Sequence, residues 1–329
     1  MSYNSSHNHD RILNDQRGLT RRAVLKTSVG IGLAAALNPL SAWADALAQP
    51  SAMLMRAIPS SGEKIPVIGV GTARRYENAA SAEDRAPLRE VLRRLPEIGG
   101  KLIDTAPAYG IAETVVGDLV SEIGNRDKLF FATKVGVRSG DRAGIVAQME
   151  ESMRRLKTDR IDLMQIWNLI AVPETLPILR EWKAAGRIRY IGITTSNERQ
   201  YEPLLKIMET ERLDFIQVDY AVDSREAEAR IFPTAQDKGI AVLTNLPFGR
   251  SRVFEKVSGR PVPDWAREID CATWAQVFLK FIVSNSAVTC AIPGTAKLGY
   301  LEDNQGAARG KMPDEAMRKR IVAALSAVG

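Results

Sequence analysis

From residue 65 onward, short apolar runs alternate with longer stretches in which apolar residues recur every three or four positions. Several of the short runs are almost continuously apolar, which is typical of parallel strands that are buried on both faces. The longer stretches have the period of amphipathic helices, and glycines such as Gly124 and Gly186 separate a helical stretch from the next short run. The eight predicted strands are 65–72, 101–106, 129–135, 161–168, 190–195, 215–219, 240–246 and 288–292.

Helical patterns lie between these strands, for example at 87–98, 145–156 and 274–282. A strand followed by a helix, repeated eight times over about 260 residues, predicts a single-domain (β/α)8 barrel of the TIM type in the α/β class. We assign the barrel to residues 49–312 and expect residues 313–329 to form a C-terminal helix that packs on it. The alternative, a doubly wound sheet, usually carries G-x-G-x-x-G after its first strand, and the third glycine is absent here.

The first 48 residues have the parts of a signal peptide. Arg21 and Arg22 precede a weakly apolar run, 27–44, and the segments 42–44 and 46–48 form A-x-A-like cleavage sites. Paired arginines are the mark of a twin-arginine signal, which is an export address for folded proteins. The apolar run is too weak for a stable transmembrane span. We therefore expect cleavage near 44–48, a periplasmic location and the twin-arginine translocase as a partner during export. The alternatives are a basic N-terminal tail and an uncleaved anchor.

Composition narrows the chemistry of the 329-residue chain, whose formal net charge is +6. No basic stripe is interleaved with aromatic residues, so a nucleic-acid partner is not expected. Both histidines, His7 and His9, precede the predicted barrel, and Cys271 and Cys290 do not have metal-ligand spacing. Neither a histidine base nor a metal site is therefore expected in the barrel. We expect a monomer, because no long apolar stripe is left over.

Polar residues follow the predicted strands at the end where active sites of such barrels lie. Asp104 and Tyr109 follow the second strand, and Lys134 lies among apolar neighbours in the third. A buried lysine is costly without an opposite charge, and Asp104 is the obvious partner. A positive charge near a phenol favours its ionised form, which would make Tyr109 a usable general acid. A structural Asp–Lys pair beside an unrelated surface tyrosine is the alternative that these residues leave open.

The order and spacing of several short motifs resemble the aldo-keto reductases. The resemblance implies an NADP(H)-dependent oxidoreductase that reduces a small-molecule aldehyde or ketone by hydride transfer. It implies that Tyr109 is the general acid and that Asp104 and Lys134 tune it. The matching segments lie between about residues 58 and 309 and are 103–110, 133–134, 162–166, 192–194, 217–220, 292–295 and 303–304.

The sequence departs from that family at the fourth catalytic position. The family has Gln-x-His there, whereas this chain has Gln165-Ile166-Trp167. An indole offers one donor and no acceptor, and losing an oxyanion donor typically lowers a rate by about 10²–10³. We expect Trp167 to shape the pocket while Tyr109 still supplies the proton. The alternative is a catalytically impaired dinucleotide-binding or interaction module of the same fold. Reduction of an activated C=C bond is a third hypothesis, but the family members with that activity have a carboxylate at this position.

The cofactor residues are assigned by the resemblance. It implies that the strand-end residues contact the nicotinamide and its ribose. The loop after the seventh predicted strand would contact the nicotinamide or the pyrophosphate, and the last loop would contact the adenosine. In that last loop Gly294 and Tyr300 occupy positions where the family has basic residues, so NADP is expected and NAD is the alternative. Asn245 stands where the family often stacks a ring on the nicotinamide, which leaves Tyr220 or Phe248 to approach it. The expected cofactor-binding residues are Gly71, Thr72, Asp104, Thr194, Thr195, Gln217, Phe248, Gly249, Arg250, Lys297, Asp303 and Asn304.

Overall fold

The computed structural model describes residues 52–326 and contains one large parallel sheet. A small antiparallel hairpin, β1 (Met55–Ala57) and β2 (Lys64–Pro66), precedes it. In the sheet, each strand pairs in parallel with the next strand of the chain. Its eight strands are β3 (Val70–Gly71), β4 (Leu102–Asp104), β5 (Phe130–Val135), β6 (Ile161–Trp167), β7 (Ile188–Thr194), β8 (Phe215–Asp219), β9 (Ala241–Asn245) and β10 (Val288–Ala291).

The first and last strands of this sheet also meet. The N–H of Gly69 donates to the carbonyl of Ala291 at 2.8 Å, and the N–H of Gly71 donates to that of Pro293 at 3.0 Å. Gly71 permits this approach, because a Cβ there would lie 2.8 Å from the carbonyl oxygen of Ile292. The sheet is therefore closed, which confirms the predicted barrel-like α/β fold.

Helices follow the strands and cover the barrel. Three of them begin at a side chain that accepts a backbone N–H, namely Ser81, Asp141 and Thr273, which is the usual N-cap arrangement. The last helix lies against α8, and its Ile321 is fully buried. The helices are α1 (Ala82–Glu97), α2 (Ala112–Ile123), α3 (Arg142–Leu156), α4 (Val172–Ala184), α5 (Tyr201–Thr210), α6 (Ile231–Lys238), α7 (Arg252–Lys256), α8 (Trp274–Ser284), α9 (Leu298–Gly306) and α10 (Glu315–Ser326).

The inside of the barrel is apolar towards the N-terminal ends of the strands. The rings of Phe130, Tyr190 and Phe215 contact one another with centroid distances of 5.6–6.2 Å. Ile58 and Ile65 of the hairpin region join the same buried cluster, so the hairpin covers this end. Because alternate residues of each strand point inward, the polar residues that follow on these strands collect at the opposite, C-terminal end.

The observed boundaries differ from the prediction most at the first strand. The predicted run 65–72 is divided, because Lys64–Pro66 pairs with Met55–Ala57 in the hairpin and only Val70–Gly71 forms a strand of the barrel. The hairpin was missed, since three-residue strands are too short to show an alternating pattern. The predicted signal peptide, 1–48, lies outside the described residues. Within residues 52–326, no helix has the length and apolar character needed to cross a bilayer.

Candidate active site

A buried ion pair joins the ends of two neighbouring strands. Nζ of Lys134 on β5 donates to Oδ2 of Asp104 on β4 at 2.7 Å and to the carbonyl oxygen of Thr105 at 2.8 Å. The exposed fractions of the two side chains are 1% and 3%. Such a pair is stable only when its charges are matched and its hydrogen bonds are made, and both conditions hold here. The structure therefore brings together the two residues that the sequence paired.

Two amide side chains fix the other oxygen of the same carboxylate. Nε2 of Gln217 donates to Oδ1 of Asp104 at 2.8 Å, and Nε2 of Gln165 donates to it at 3.2 Å. Both glutamines are buried; Gln217 lies on β8, which is opposite β4 in the eight-stranded barrel, and Gln165 lies on β6, two strands from β4. Gln165 was not among the predicted site residues. Its place on the strand, two residues before Trp167 and hence on the same inward face, is the signal that identifies it.

Tyr109 lies beside this pair. Nζ of Lys134 is 5.1 Å from the centroid of the Tyr109 ring. Burial lowers the pKa of Lys134, but the nearby Asp104 and Tyr109 outweigh burial, so the pKa lies above its ordinary value. Lys134 is thus a permanent positive charge next to the phenol, as the predicted general-acid arrangement requires.

A tight turn after β4 holds Tyr109 in place. The N–H of Tyr109 donates to the carbonyl of Ala106 at 3.1 Å, and the N–H of Ala112 donates to that of Tyr109 at 2.9 Å. Gly110 follows with a φ of 52°, and a Cβ there would lie 2.5 Å from the carbonyl oxygen of Glu77. Only glycine fits that position, so the turn that presents Tyr109 is specified locally.

Trp167 ends strand β6 and is partly buried at the barrel mouth, in register with Thr194 of β7. The Cβ and Cε3 atoms of its side chain lie 3.2 Å from the point that a Cβ of Gly136 would occupy, so the benzo edge of the indole faces β5. The N–H is on the opposite edge of the indole and donates to no group within residues 52–326. The indole is therefore a wall of the site with one donor available to a ligand.

Two amide oxygens at the mouth are buried without a hydrogen-bond partner in the described part of the chain, Oδ1 of Asn245 and Oε1 of Gln165. The amide nitrogen of Asn245 donates to the carbonyl of Thr195 at 3.1 Å, which fixes that side chain. Buried acceptors without donors are unfavourable, so this arrangement suits a ligand that brings N–H groups, such as a carboxamide. A nicotinamide carboxamide therefore fits the residues present.

The other predicted nicotinamide contacts differ in what their side chains do. Thr194 ends β7 and Gln217 lies in the middle of β8, and both side chains are buried. The hydroxyl of Thr195 instead bonds Oε1 of Gln200 at 2.6 Å and is committed to the loop after β7. Thr72 is likewise committed, because its hydroxyl donates to the carbonyl oxygen of Asp104 at 3.1 Å.

The two rings proposed to stack on the nicotinamide are engaged elsewhere. Tyr220 is fully buried against Phe232 and Phe281, with centroid distances of 4.9 and 6.0 Å. The ring of Phe248 packs on Phe254 at 4.8 Å. Tyr220 therefore belongs to the packing of the outer helices, and the expectation that it approaches the mouth is wrong. Phe248 lies in the loop after β9 and packs against α7.

The loop after β9 carries the residues expected near a pyrophosphate. Gly249 and Arg250 both have positive φ, 53° and 58°. Arg250 is exposed and forms no ion pair within residues 52–326. Arg252, in contrast, makes two bonds to Asp223, at 2.6 and 2.9 Å, so its charge is already matched. Of these two arginines, Arg250 is the one available to an anionic ligand.

The loop after β10 holds the residues expected near the adenosine. Lys297 is exposed, with its Nζ 5.8 Å from the ring centroid of Tyr300. The carboxylate of Asp303 accepts the hydroxyl of Thr273 at 3.0 Å. The amide of Asn304 is buried and donates to Oγ1 of Thr295 at 3.1 Å. Lys297 is thus open to a ligand, whereas the amide of Asn304 braces the loop.

Sequence reasoning missed Arg75 at this end of the mouth. Its Cγ and Nε atoms lie 3.6 Å from the point that a Cβ of Gly294 would occupy. Gly294 has no side chain to contact a ligand, and the guanidinium of Arg75 lies beside it. The side chain is exposed and forms no ion pair with a described carboxylate. The contact depends on barrel closure between β3 and β10, which spacing along the chain does not reveal.

Residues 67–324 match the model of the aldo/keto reductase family. The chain belongs to the aldo/keto reductase family. It is 34% identical over 200 residues to the aldo-keto reductase YhdN of Bacillus subtilis, a match that covers 57% of this chain and 60% of YhdN. It is 29% identical over 258 residues to the methylglyoxal reductase YeaE of Escherichia coli, covering 77% of this chain and 89% of YeaE.

A solved aldo-keto reductase from Klebsiella pneumoniae in complex with NADPH superposes on this aldo/keto reductase with a TM-score of 0.69. The two chains are 26% identical, and the match covers 82% of this chain and 95% of the other. The family match and the fold thus confirm the resemblance to aldo-keto reductases that the short motifs indicated.

Proposed function

We propose that this aldo/keto reductase uses NADP(H) to reduce a small aldehyde or ketone, with Tyr109 as the general acid. The observation that carries the proposal is the buried Lys134–Asp104 pair beside Tyr109. A fixed ammonium next to a phenol stabilises the phenolate that remains after proton donation. The NADPH-bound structural relative from Klebsiella pneumoniae supports the choice of cofactor.

The chain's own residues fit the cofactor at both of its ends. The unpaired oxygens of Asn245 and Gln165 would accept the carboxamide N–H groups at the mouth. Arg250, Lys297 and Arg75 would face its phosphates, since each is exposed and free of carboxylate partners in the described residues. When bound, NADPH supplies a hydride to the carbonyl carbon.

Proton transfer falls to Tyr109. Its hydroxyl donates the proton to the carbonyl oxygen as the carbon is reduced, and the product is an alcohol. Lys134 keeps the phenolate favourable, and Asp104 holds Lys134 in place through the 2.7 Å bond. Trp167 forms the wall of the pocket at the end of β6, and its N–H, which has no partner in the described residues, would donate to the carbonyl oxygen.

A fluorescence titration of the purified protein with NADPH, then with NADH, tests the cofactor assignment. We expect micromolar binding of NADPH and weaker binding of NADH. A panel of aldehydes and ketones with bound NADPH then separates an enzyme from a catalytically impaired module. NADPH oxidation above that of a Tyr109→Phe variant supports the enzyme. Failure to bind either nucleotide would contradict the proposal and favour the non-catalytic alternative.

We further propose that the chain is exported to the periplasm by the twin-arginine route and cleaved near residues 44–48. Arg21 and Arg22 before a short, weakly apolar run support this proposal. Fractionation of cells that express the full chain should find the shortened protein in the periplasm. Replacing both arginines with lysine should leave the full-length chain in the cytoplasm. Periplasmic delivery of the double variant, or cytoplasmic retention of the wild type, would contradict export by this route.

A further inference from the structure

A small cavity opens beside Trp167 and next to the Asp104–Lys134 pair. Its volume is about 120 Å3. It lies between the loop after β4 and the loop after β5, and Pro107 and Ala108 on its wall directly precede Tyr109 in the chain. The cavity therefore adjoins the turn that carries the proposed proton donor. The lining residues are Pro107, Ala108, Lys134, Val135, Gly136, Gln148 and Trp167.

We propose that this cavity receives the substituent of the carbonyl substrate, and that Trp167 and Gly136 restrict this enzyme to short-chain aldehydes. The inference rests on the proposed function and adds the substrate class. Lys134 lines the cavity, and its Nζ lies 5.1 Å from the ring centroid of Tyr109, so a carbonyl that meets the Tyr109 hydroxyl has its substituent next to this wall. Selection by size follows from the dimensions of the cavity.

The volume sets the size of the substituent. An apolar cavity of about 150 Å3 holds a benzene ring, so about 120 Å3 accommodates roughly five non-hydrogen atoms. Longer alkyl chains would have to displace the indole or remain in water. Either outcome lowers kcat/KM for a longer aldehyde relative to a shorter one.

The chemistry of the wall excludes charged substituents. Lys134 lines the cavity, but its ammonium is already bonded to Asp104 and to the carbonyl of Thr105. Oε1 of Gln148 accepts the N–H of Gly136 at 2.7 Å. The remaining wall is mostly apolar, so an alkyl group is favoured over a carboxylate or a phosphate.

The backbone that follows Trp167 is held in an unusual turn. Asn168, Leu169 and Ala171, which follow Trp167, have positive φ values of 49°, 56° and 48°. Such conformations are unfavourable for residues other than glycine and persist where the surroundings impose them. The carbonyl of Asn168 also accepts Nε2 of Gln200 at 3.0 Å. This turn fixes the backbone from which the indole projects.

Gly136 supplies the space in which the indole sits. A Cβ at this position would lie 3.2 Å from both Cβ and Cε3 of Trp167, which is closer than ordinary contact. Gly136→Ala should push the indole into the cavity and shorten the longest substrate accepted. Trp167→Ala should have the opposite effect, because it removes the wall. The two variants thus move the same property in opposite directions.

The experiment measures kcat/KM for straight-chain aldehydes from acetaldehyde to octanal at saturating NADPH. For the wild type we expect a fall of at least about tenfold between butanal and octanal. Trp167→Ala should abolish that fall, and Trp167→Phe should reduce it. Gly136→Ala should move the fall to shorter aldehydes. Trp265→Phe, which alters an indole packed under Arg320 on the outer helices, is the matched control and should keep the wild-type profile.

Circular dichroism and the NADPH dissociation constant check that each variant is folded and loaded. Equal kcat/KM for butanal and octanal in the wild type would overturn the inference, and so would the same chain-length profile in all the Trp167 and Gly136 variants. A wild type that binds NADPH but reduces no aldehyde would overturn both the inference and the proposed reaction. A wild type that does not bind NADPH would contradict the cofactor assignment and, with it, the inference.

Discussion

Nζ of Lys134 lies 2.7 Å from Oδ2 of Asp104, and the two side chains are buried at the ends of adjacent parallel strands. This pair connects the fold to the proposed chemistry. Strand register brings the two residues together, and their position at the C-terminal end of the barrel puts the ammonium beside Tyr109. The same residues therefore contribute to stability and to the site.

Breaking the pair from one side should be more harmful than removing it. Asp104→Leu leaves the ammonium of Lys134 buried without its counter-charge and the N–H groups of Gln165 and Gln217 without their acceptor, and breaking a buried pair from one side costs about 3–5 kcal/mol of unfolding free energy. The double variant Asp104→Leu, Lys134→Met also removes the uncompensated charge and should lose less stability than Asp104→Leu alone. Urea unfolding measures both variants. A double variant less stable than the single one would show that the uncompensated buried charge is not the main cause of the lost unfolding free energy.

The pH dependence of stability should include a contribution from Glu113. This α2 carboxylate is buried, and burial raises its pKa above the ordinary value of 4.5, although Thr133 donates to it at 2.6 Å. Because the pKa is higher in the folded state, the associated stabilisation is complete below about pH 4.5 and is lost as the pH rises through the folded pKa.

Glu113→Gln removes that titration. The unfolding free energy of the variant relative to wild type should therefore increase between about pH 4 and about pH 8. Urea unfolding of both proteins at these two pH values gives the comparison. The idea fails if the difference between variant and wild type is the same at both values.

Arg75 should distinguish NADPH from NADH. Its guanidinium lies beside Gly294, at the end of the mouth where the proposed function puts the adenosine phosphate. Removing one charged contact typically costs about 1.5 kcal/mol or more, so Arg75→Ala should raise the NADPH dissociation constant at least about tenfold. The NADH dissociation constant should change by less than about twofold, since NADH lacks the 2′-phosphate.

The adjacent variant Arg74→Ala is the matched control for this titration. The backbone N–H of Arg74 donates to Glu77, and we expect the side-chain change to leave both dissociation constants near their wild-type values. Equal weakening of NADPH and NADH by Arg75→Ala would assign Arg75 to the common part of the dinucleotide and contradict its role at the 2′-phosphate.

The sequence predicted the barrel because each buried strand has its own apolar run, and it predicted the Asp104–Lys134 pair because adjacent parallel strands end at one edge. The amide of Gln165 was missed, since its bond to Asp104 crosses the barrel interior and depends on the inward register of β6. Arg75 was missed because its contact with Gly294 forms only when the barrel closes.

A sequence motif also does not predict the direction in which a side chain points. Tyr220 follows β8, where a ring near the cofactor is plausible from sequence order alone. The structure instead packs it against Phe232 and Phe281, and its hydroxyl accepts a bond from Arg318 of α10 at 2.8 Å. The position of this ring therefore depends on contacts with α6, α8 and α10, and the Arg318 contact joins residues almost 100 positions apart in the chain.

The most direct test of the central claim compares NADPH oxidation by the wild type and by Tyr109→Phe, with propanal as the substrate and NADPH at saturation for each protein. Removal of the phenolic hydroxyl takes away the proton donor but keeps the ring. We therefore predict that kcat falls by about 10²–10⁴, while the NADPH dissociation constant stays within about threefold of the wild-type value. A variant that oxidises NADPH as fast as the wild type would contradict the assignment of Tyr109 as the general acid.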